Sequence, residues 1–287
     1  MPAGLGITTE NLMQTEISPA KGYILYEGPS QLLTDPGAPI VVIAIMESSN
    51  SKTGNMVQTY ILRSDMDPRE ASRTGADVAI CGACPLKGDG FPDNPMKLAQ
   101  HRECYVNMGQ GPLIVWNNYK AGKYPRLTTN ADITTVCSGR AVRIGTYGDG
   151  AAAPSWVWSA ALKDAAGHTA YTHQWHRDAQ HGNTYVGNGG WGPYPWVYMA
   201  SVESLDEARA AWARGYRTFR VVNHPDERDP DREVVCPNET TGVQCIDCKL
   251  CNGSKYGRSS AAVAKSIVIT VHGPGKKYFP IRQALTA

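Results

Sequence analysis

Val142-Arg-Ile-Gly-Thr-Tyr147, followed by Gly148-Asp-Gly150, Pro154 and Ser155-Trp-Val-Trp-Ser-Ala-Ala-Leu-Lys163, is the stretch that sets the fold class. A β-branched and aromatic run ends in a glycine-rich loop, and a helix entered through proline follows it. The alternation continues downstream. His168-Thr-Ala-Tyr-Thr-His173, Trp196-Val-Tyr-Met-Ala-Ser-Val202, Arg217-Thr-Phe-Arg-Val-Val222 and Ser266-Ile-Val-Ile-Thr-Val-His272 each read as a further strand. Ser204-Leu-Asp-Glu207 is a capping box that opens a helix over 207–214, and Gly215 closes it. Upstream, Asp77-Val-Ala-Ile80 reads as a short strand and Leu113-Ile-Val-Trp-Asn-Asn-Tyr-Lys120 as a helix stopped by Gly122. Strands separated by helices or long crossovers are the pattern of a parallel β/α sheet. The expected class is α/β, as a complete or partial (β/α) TIM-like barrel with cysteine-rich metal-binding loops. A doubly wound open sheet comes second, because the Gly-x-Gly-x-x-Gly nucleotide fingerprint is missing.

The first quarter of the chain reads differently. Tyr23-Ile-Leu-Tyr26 is a short strand, and Ile40-Val-Val-Ile-Ala-Ile-Met46 and Met56-Val-Gln-Thr-Tyr-Ile-Leu62 are β-branched runs. The turn-rich Glu47-Ser-Ser-Asn-Ser-Lys-Thr-Gly54-Asn between the last two makes them an antiparallel hairpin. Residues 1–75 are therefore expected as a β-rich N-terminal extension covering an end of the barrel, with residues 76–287 as the barrel itself.

Charge is nearly balanced over the 287 residues, at 28 basic against 26 acidic. A broad nucleic-acid face is not indicated. No apolar run approaches the roughly 18 residues of a membrane span, and Met1-Pro-Ala-Gly-Leu-Gly lacks the basic start and apolar middle of a secretory signal. A cytoplasmic protein with no membrane partner is expected, so its eight cysteines read as metal ligands or reactive groups rather than disulfides. The 29 glycines and 19 prolines against three phenylalanines describe a loop-rich chain pinned by something besides core.

Four of the cysteines fall within sixteen residues: Cys236-Pro, then Cys245-Ile-Asp-Cys248-Lys-Leu-Cys251. Each x2 step lets the backbone wrap around a central ion or cluster. Cys-x2-Cys-x2-Cys with a separate Cys-Pro matches a loop that holds a cubane [4Fe–4S] cluster, zinc being the alternative. A second group is Cys81-Gly-Ala-Cys84 and, nineteen residues on, Cys104. Cys137 is a candidate fourth ligand that would close this site. Without it, one iron stays open to a small molecule. A zinc staple of Cys81, Cys84, Cys104 and either His101 or Cys137 is the alternative here.

Three cysteines after a first barrel strand, with the aromatic Tyr105 beside the last, resemble the radical S-adenosylmethionine superfamily in its divergent form with a long gap before the third cysteine. The 236–251 loop resembles that superfamily's auxiliary-cluster loops. Cys104-Tyr105, Val142-Arg-Ile-Gly-Thr-Tyr-Gly-Asp149, Ala170-Tyr-Thr172, Cys236-Pro and the Cys-x2-Cys-x2-Cys run are together similar to a phage-encoded Gp88-like family, over about residues 78–273. The resemblance implies a barrel in the host-cell cytoplasm, with one or two [4Fe–4S] clusters and S-adenosylmethionine on an open iron. It also implies that the strand end at Gly145, Tyr147 and Gly148 holds the amino group of that ligand. On the residues alone, the two glycines are equally explained by a tight turn needing positive φ.

His173 and His272 each end a strand and are candidate acid/base groups, with Asp149 or Asp178 as partner. His176, His181, Trp175, Tyr185, Trp191, Tyr194 and Trp196 give the loop over 174–195 the character of a lid. Arg217 and Arg220 flank a strand and could bind a carboxylate or phosphate, solvated or ion-paired arginines being the favoured reading, and 226–232 reads as a solvated charge run. Three functions are compatible with these residues: an iron–sulfur protein with radical or other redox chemistry, with a small-molecule substrate or an electron donor as partner, a metal-stapled accessory or binding protein without catalysis, and a hydrolase at the barrel mouth.

Overall fold

The structure, a computed structural model, describes residues 17–94, 96–176, 194–253 and 265–279. Nine strands form one sheet: β1 (Gly22–Pro29), β2 (Pro39–Ile45), β3 (Val57–Arg63), β4 (Ala141–Tyr147), β5 (Gly167–Thr172), β6 (Met199–Val202), β7 (Thr218–Val222), β8 (Glu233–Val235) and β9 (Ser266–Thr270). Their order is β1-β2-β3-β4-β5-β6-β7-β9-β8. The first three strands are antiparallel, and every pairing from β3 onward is parallel. β1 and β8 are the two edges, so the sheet is not a closed barrel. Nor is it doubly wound: from β3 to β7 the order advances one neighbour at a time, without the reversal that defines a switch point.

The hairpin is β2–β3, as its pattern implies, but it does not sit over an end of a separate domain. β3 pairs with β4 through Val57–Val142 and Gln58–Arg143, and the strands before residue 75 extend the main sheet. β2 is buried almost throughout, which is why it reads as an unbroken apolar run rather than an alternation. Ile43 and Ile61 share one core with Val142, Ile144 and Ala170.

Eight helices accompany the sheet among the described residues: α1 (Pro68–Thr74), α2 (Val78–Cys81), α3 (Gly111–Lys120), α4 (Asn130–Cys137), α5 (Ser155–Leu162), α6 (Leu205–Ala213), α7 (Pro237–Thr241) and α8 (Cys245–Cys248). The expected strand over 77–80 is α2. Cys81 N–H donates to Asp77 O at 2.8 Å, and Gly75 and Gly82 bracket a run too short for its periodicity to tell a strand from a buried helical turn. The strand that precedes the first cysteines is β3. α6 starts two residues earlier than expected: Ser204 Oγ accepts from Glu207 N–H, while the Glu207 carboxylate reaches back to Glu203 N–H. α4 carries a complete capping box, Thr129 with Asp132.

The helices α5 and α6 lie on the face of the sheet away from the cavity, while the short α2, α7 and α8 carry cavity-lining residues. Ile144 and Ala170 pack with Val157, Trp158 and Ala161 of α5, and Ala200 packs with Ala208 and Ala211 of α6. No helix among the described residues is long and apolar enough to cross a membrane.

Candidate metal centre and its cavity

Successive strand side chains point to opposite faces. Residues 143, 145 and 147 of β4, 169 and 171 of β5 with 173 beyond it, 219 and 221 of β7, and 267 and 269 of β9 all line one cavity of ≈ 290 Å³. Seven of the eight cysteines line it with them: Cys81, Cys84, Cys104, Cys236, Cys245, Cys248 and Cys251. All are free thiols.

The first group lies beyond the C-terminal ends of β4 and β5. Gln174, which is fully buried, clamps the Cys81–Cys84 turn: its Nε2 donates to Cys81 O at 3.0 Å and its Oε1 accepts from Ala83 N–H at 3.2 Å. A Cβ on Gly82 would meet that amide oxygen at 2.4 Å, so the approach requires glycine. Cys104 is fixed by its N–H donating to Leu86 O at 2.9 Å. Burial pushes the Cys81 thiol well up, and neighbouring Asp77, Cys84 and Cys104 add to this; burial raises Cys104 as well.

The second group crosses the same face to its other end. Cys236 N–H donates to Val268 O of β9 at 2.8 Å. The chain then runs to the hairpin tip, where Cys245 N–H donates to Lys52 O at 2.9 Å and Ile246 N–H to Thr53 O at 3.1 Å. Lys249 takes a left-handed φ of 50°, which turns the backbone between Cys248 and Cys251. Cys251 O accepts from Ala170 N–H at 3.0 Å. Arg217 pins the backbone on either side of this cysteine, donating to the carbonyls of Leu250, Gly253 and Lys265 at 2.7, 3.0 and 2.6 Å. Burial pushes the Cys251 thiol up to about 12, against a hydrogen bond from Tyr171.

Cys137 does not belong to either group. It ends α4 on the helical side of the sheet, 1 % exposed in the main core, and its thiol is pushed up to about 11 by burial. Position just before β4 in sequence places it near that strand, but on the wrong face. His101 is exposed and paired with Asp89 at 3.1 Å. Neither of the expected fourth ligands reaches the first group.

His173 does. Its Nε2 lies 2.9 Å from Glu203 Oε1, and Cys84 is among the neighbours that act on its charge. Burial would lower this imidazole's pKa, but Cys84 and Glu203 together carry it well above the usual histidine value. Asp149 is a structural hub: Oδ2 accepts from Thr172 Oγ1, His173 N–H and Gln174 Nε2 at 3.0, 2.9 and 3.2 Å, and Oδ1 from Ala151 N–H at 3.0 Å. His272 lines the cavity with Nδ1 2.9 Å from Thr270 O and its ring 5.9 Å from that of Tyr105.

Gly145, Tyr147 and Gly148 also line the cavity. The two glycines have positive φ, and a Cβ would meet Gly148 O at 2.6 Å from Gly145 and Ile61 O at 2.8 Å from Gly148. The turn therefore accounts for both glycines. Tyr147 is buried, its hydroxyl 3.7 Å from Met108 Sδ. Arg220 is ion-paired as expected, to Glu233 at 3.0 and 2.6 Å. Asp178, His181, Tyr185 and Trp191 lie outside the described residues, as does most of the expected lid; His176 stacks on Trp175 at 3.7 Å.

Arg143 gave no cysteine or histidine signal, yet it stands between the two groups. It is 9 % exposed, its Nη2 donates to Tyr105 Oη at 2.9 Å, and its guanidinium lies 5.6 Å from the centre of the Tyr171 ring. The one trace in the sequence is a charge set in mid-strand, in Val142-Arg143-Ile144.

Among the described residues no three His, Cys, Asp or Glu side chains are grouped to hold one metal ion. Seven thiols line one cavity, Cys81, Cys84 and Cys104 from one stretch of the chain and Cys236, Cys245, Cys248 and Cys251 from another. No family model, curated protein or solved structure matches the chain.

Proposed function

We propose that this chain is an iron–sulfur protein whose sheet curls as a partial barrel around two clusters. Cys236, Cys245, Cys248 and Cys251 would hold one [4Fe–4S] cluster completely. Cys81, Cys84 and Cys104 would hold the other by three thiolates. The observation that carries this is the partition of the cysteines: seven soft donors on one cavity in sets of four and three, and the eighth in the apolar core. Such donors suit iron–sulfur clusters and zinc above other metals. A three-thiolate cluster supplies one-electron chemistry to a small molecule bound at its open iron, which in the resemblance is S-adenosylmethionine.

The chain's own residues have definite parts in this. Gln174 and Gly82 hold the Cys81–Cys84 turn against β5, and Asp149 orients Gln174 and His173. His173, held by Glu203 and influenced by neighbouring Cys84, would be the acid/base group at the first set. Arg217 keeps the second set's backbone on the sheet.

A second reading has its own observation. An imidazole bonded to a carboxylate on one side and facing a cysteine on the other has the surroundings of a metal-ligating histidine. Cys81, Cys84, Cys104 and His173 would then form a structural zinc site, and the protein a metal-stapled binding factor.

Anaerobic purification with iron, sulfide and zinc analysis and EPR decides. About eight irons and eight sulfides per chain fit two cubanes, and about four of each with one zinc fit the second reading. A colourless protein with zinc alone removes the iron–sulfur reading. Reductive cleavage of S-adenosylmethionine by the loaded protein tests the open iron.

A further inference from the structure

Among the described residues three arginines are buried at the sheet, and two of them are answered. Arg220 meets Glu233 in a two-point ion pair, and Arg217 donates to three backbone carbonyls. Arg143 has neither kind of partner: its neighbours are the Tyr105 and Tyr171 rings and the Cys245 thiol. A guanidinium has five N–H donors. Tyr105 takes one of Arg143's, and among the described residues no carboxylate pairs with it. The two carboxylates that share the cavity are engaged elsewhere, Asp149 by four donors and Glu203 by His173.

Taking such a cation out of water is costly unless an anion or a full set of acceptors meets it. We propose that Arg143 anchors the carboxylate of a small molecule taken into the cavity between the two cysteine sets. The chemistry selects that class. Arginine's planar fork matches a carboxylate at two points, which a compact ammonium cannot do. Phe219, Val221, Ile267 and Ile269 line the cavity, so the rest of the ligand is apolar. The cavity of ≈ 290 Å³ is shared with whatever the seven thiols hold, which keeps the ligand small. Tyr105, 45 % exposed, is at the surface and holds the outer side of Arg143, so the carboxylate comes in past its ring. Binding needs only the cavity; calling the ligand a substrate rests on the iron–sulfur reading above.

The test uses the full chain, purified anaerobically, with propionate as probe, propionamide as its neutral isostere and inorganic phosphate as a second oxyanion, in isothermal titration. Propionate is expected to bind saturably and propionamide about tenfold or more weaker. Arg143→Gln should weaken propionate about tenfold or more, and Arg143→Lys, which keeps the charge and loses the fork, should fall between. Tyr105→Phe removes only the hydroxyl that fixes the guanidinium and should weaken propionate about threefold, which keeps the proposal open to refutation should the arginine variants fail to fold. Equal binding of propionate and propionamide, phosphate binding in place of propionate, or unchanged affinity in a folded Arg143→Gln or Tyr105→Phe protein would overturn it. Full iron content without a propionate response overturns this assignment alone. A propionate response in protein that holds no iron overturns the iron–sulfur reading and leaves the anion site standing.

Discussion

Replacing Cys137 by alanine separates a core cysteine from a ligand. The thiol is 1 % exposed in the cluster that contains Ile133, Val142 and Val157. Truncation removes one apolar-like heavy atom, about 0.8 kcal/mol of transfer, and leaves a small void because the surroundings relax only in part. The expected loss is about 1–2 kcal/mol, or a fall of about 2–3 °C in the midpoint of thermal unfolding. Iron and sulfide per chain should not change. Cys104→Ala should show the reverse pattern, about half the iron lost, since its thiol lines the cavity with Cys81 and Cys84. The assays are iron and sulfide determination on anaerobically purified protein and a melt followed by circular dichroism. If Cys137→Ala loses iron to the same extent as Cys104→Ala, the partition into seven and one is wrong, and the first site is closed by a fourth thiolate.

Gly148→Ala should destabilise by about 2–4 kcal/mol in urea titration, because φ is +79° and the new Cβ would stand 2.8 Å from Ile61 O; a loss of ligand binding at unchanged stability would contradict the turn account. Glu233→Ala should cost about 3–5 kcal/mol by stranding the buried Arg220, while Arg220→Met with Glu233→Leu should come out near neutral; equal losses in the two proteins would count against it. Arg217→Met frees the carbonyls of Leu250, Gly253 and Lys265 and should cost about 2–4 kcal/mol and speed iron loss from the second set to a chelator; an unchanged rate would refute its pinning role. Gly54→Ala, at φ +70° with its Cβ 2.6 Å from Ile246 Cγ2, should push the hairpin tip off the second cysteine loop and lower the iron of that set alone; uniform loss across both sets would refute the docking role.

The features legible in the sequence are those that announce themselves locally. The β-branched runs at 40–46 and 56–62, the Pro-entered helix at 155, the Ser204 cap and the two cysteine spacings each carry their own signal, and each element is present. Residues whose role depends on a distant partner are harder. Asp77–Ile80 is too short for periodicity to choose between strand and turn, and Asp149 N–H donating to Ile80 O shows the contact that holds the turn in place. β8 is three residues long and borders the charge run at 226–232, so no pattern marks it. The Thr129-x-x-Asp132 box does mark the start of α4, a local signal that the strand-and-cysteine pattern overshadows. Cys137 is misplaced by sequence reasoning because chain proximity to a strand does not say which face its neighbour occupies. Gln174 and Arg143 are legible only once β4 and β5 lie side by side.

That placement also explains why two distant cysteine motifs share one cavity. The connections that carry α4, α5 and α6 send those helices to one face of the parallel sheet, leaving the other face without a helical layer. In a closed barrel that inner face is filled by side chains from all the strands. Here the edges do not meet, and the link from β8 to β9 runs across the bare face, carrying Cys236, Cys245, Cys248 and Cys251 as far as the hairpin tip at Lys52 and Thr53. The link from β3 to β4 brings Cys81, Cys84 and Cys104 to the opposite end, against Gln174 and Asp149. A crossover with one-turn helices and exposed polar residues buries little apolar surface of its own. Its hold on the sheet comes from backbone hydrogen bonds, Arg217 and the thiols, so a metal bound by those thiols would supply the cohesion that an apolar helix supplies on the other face.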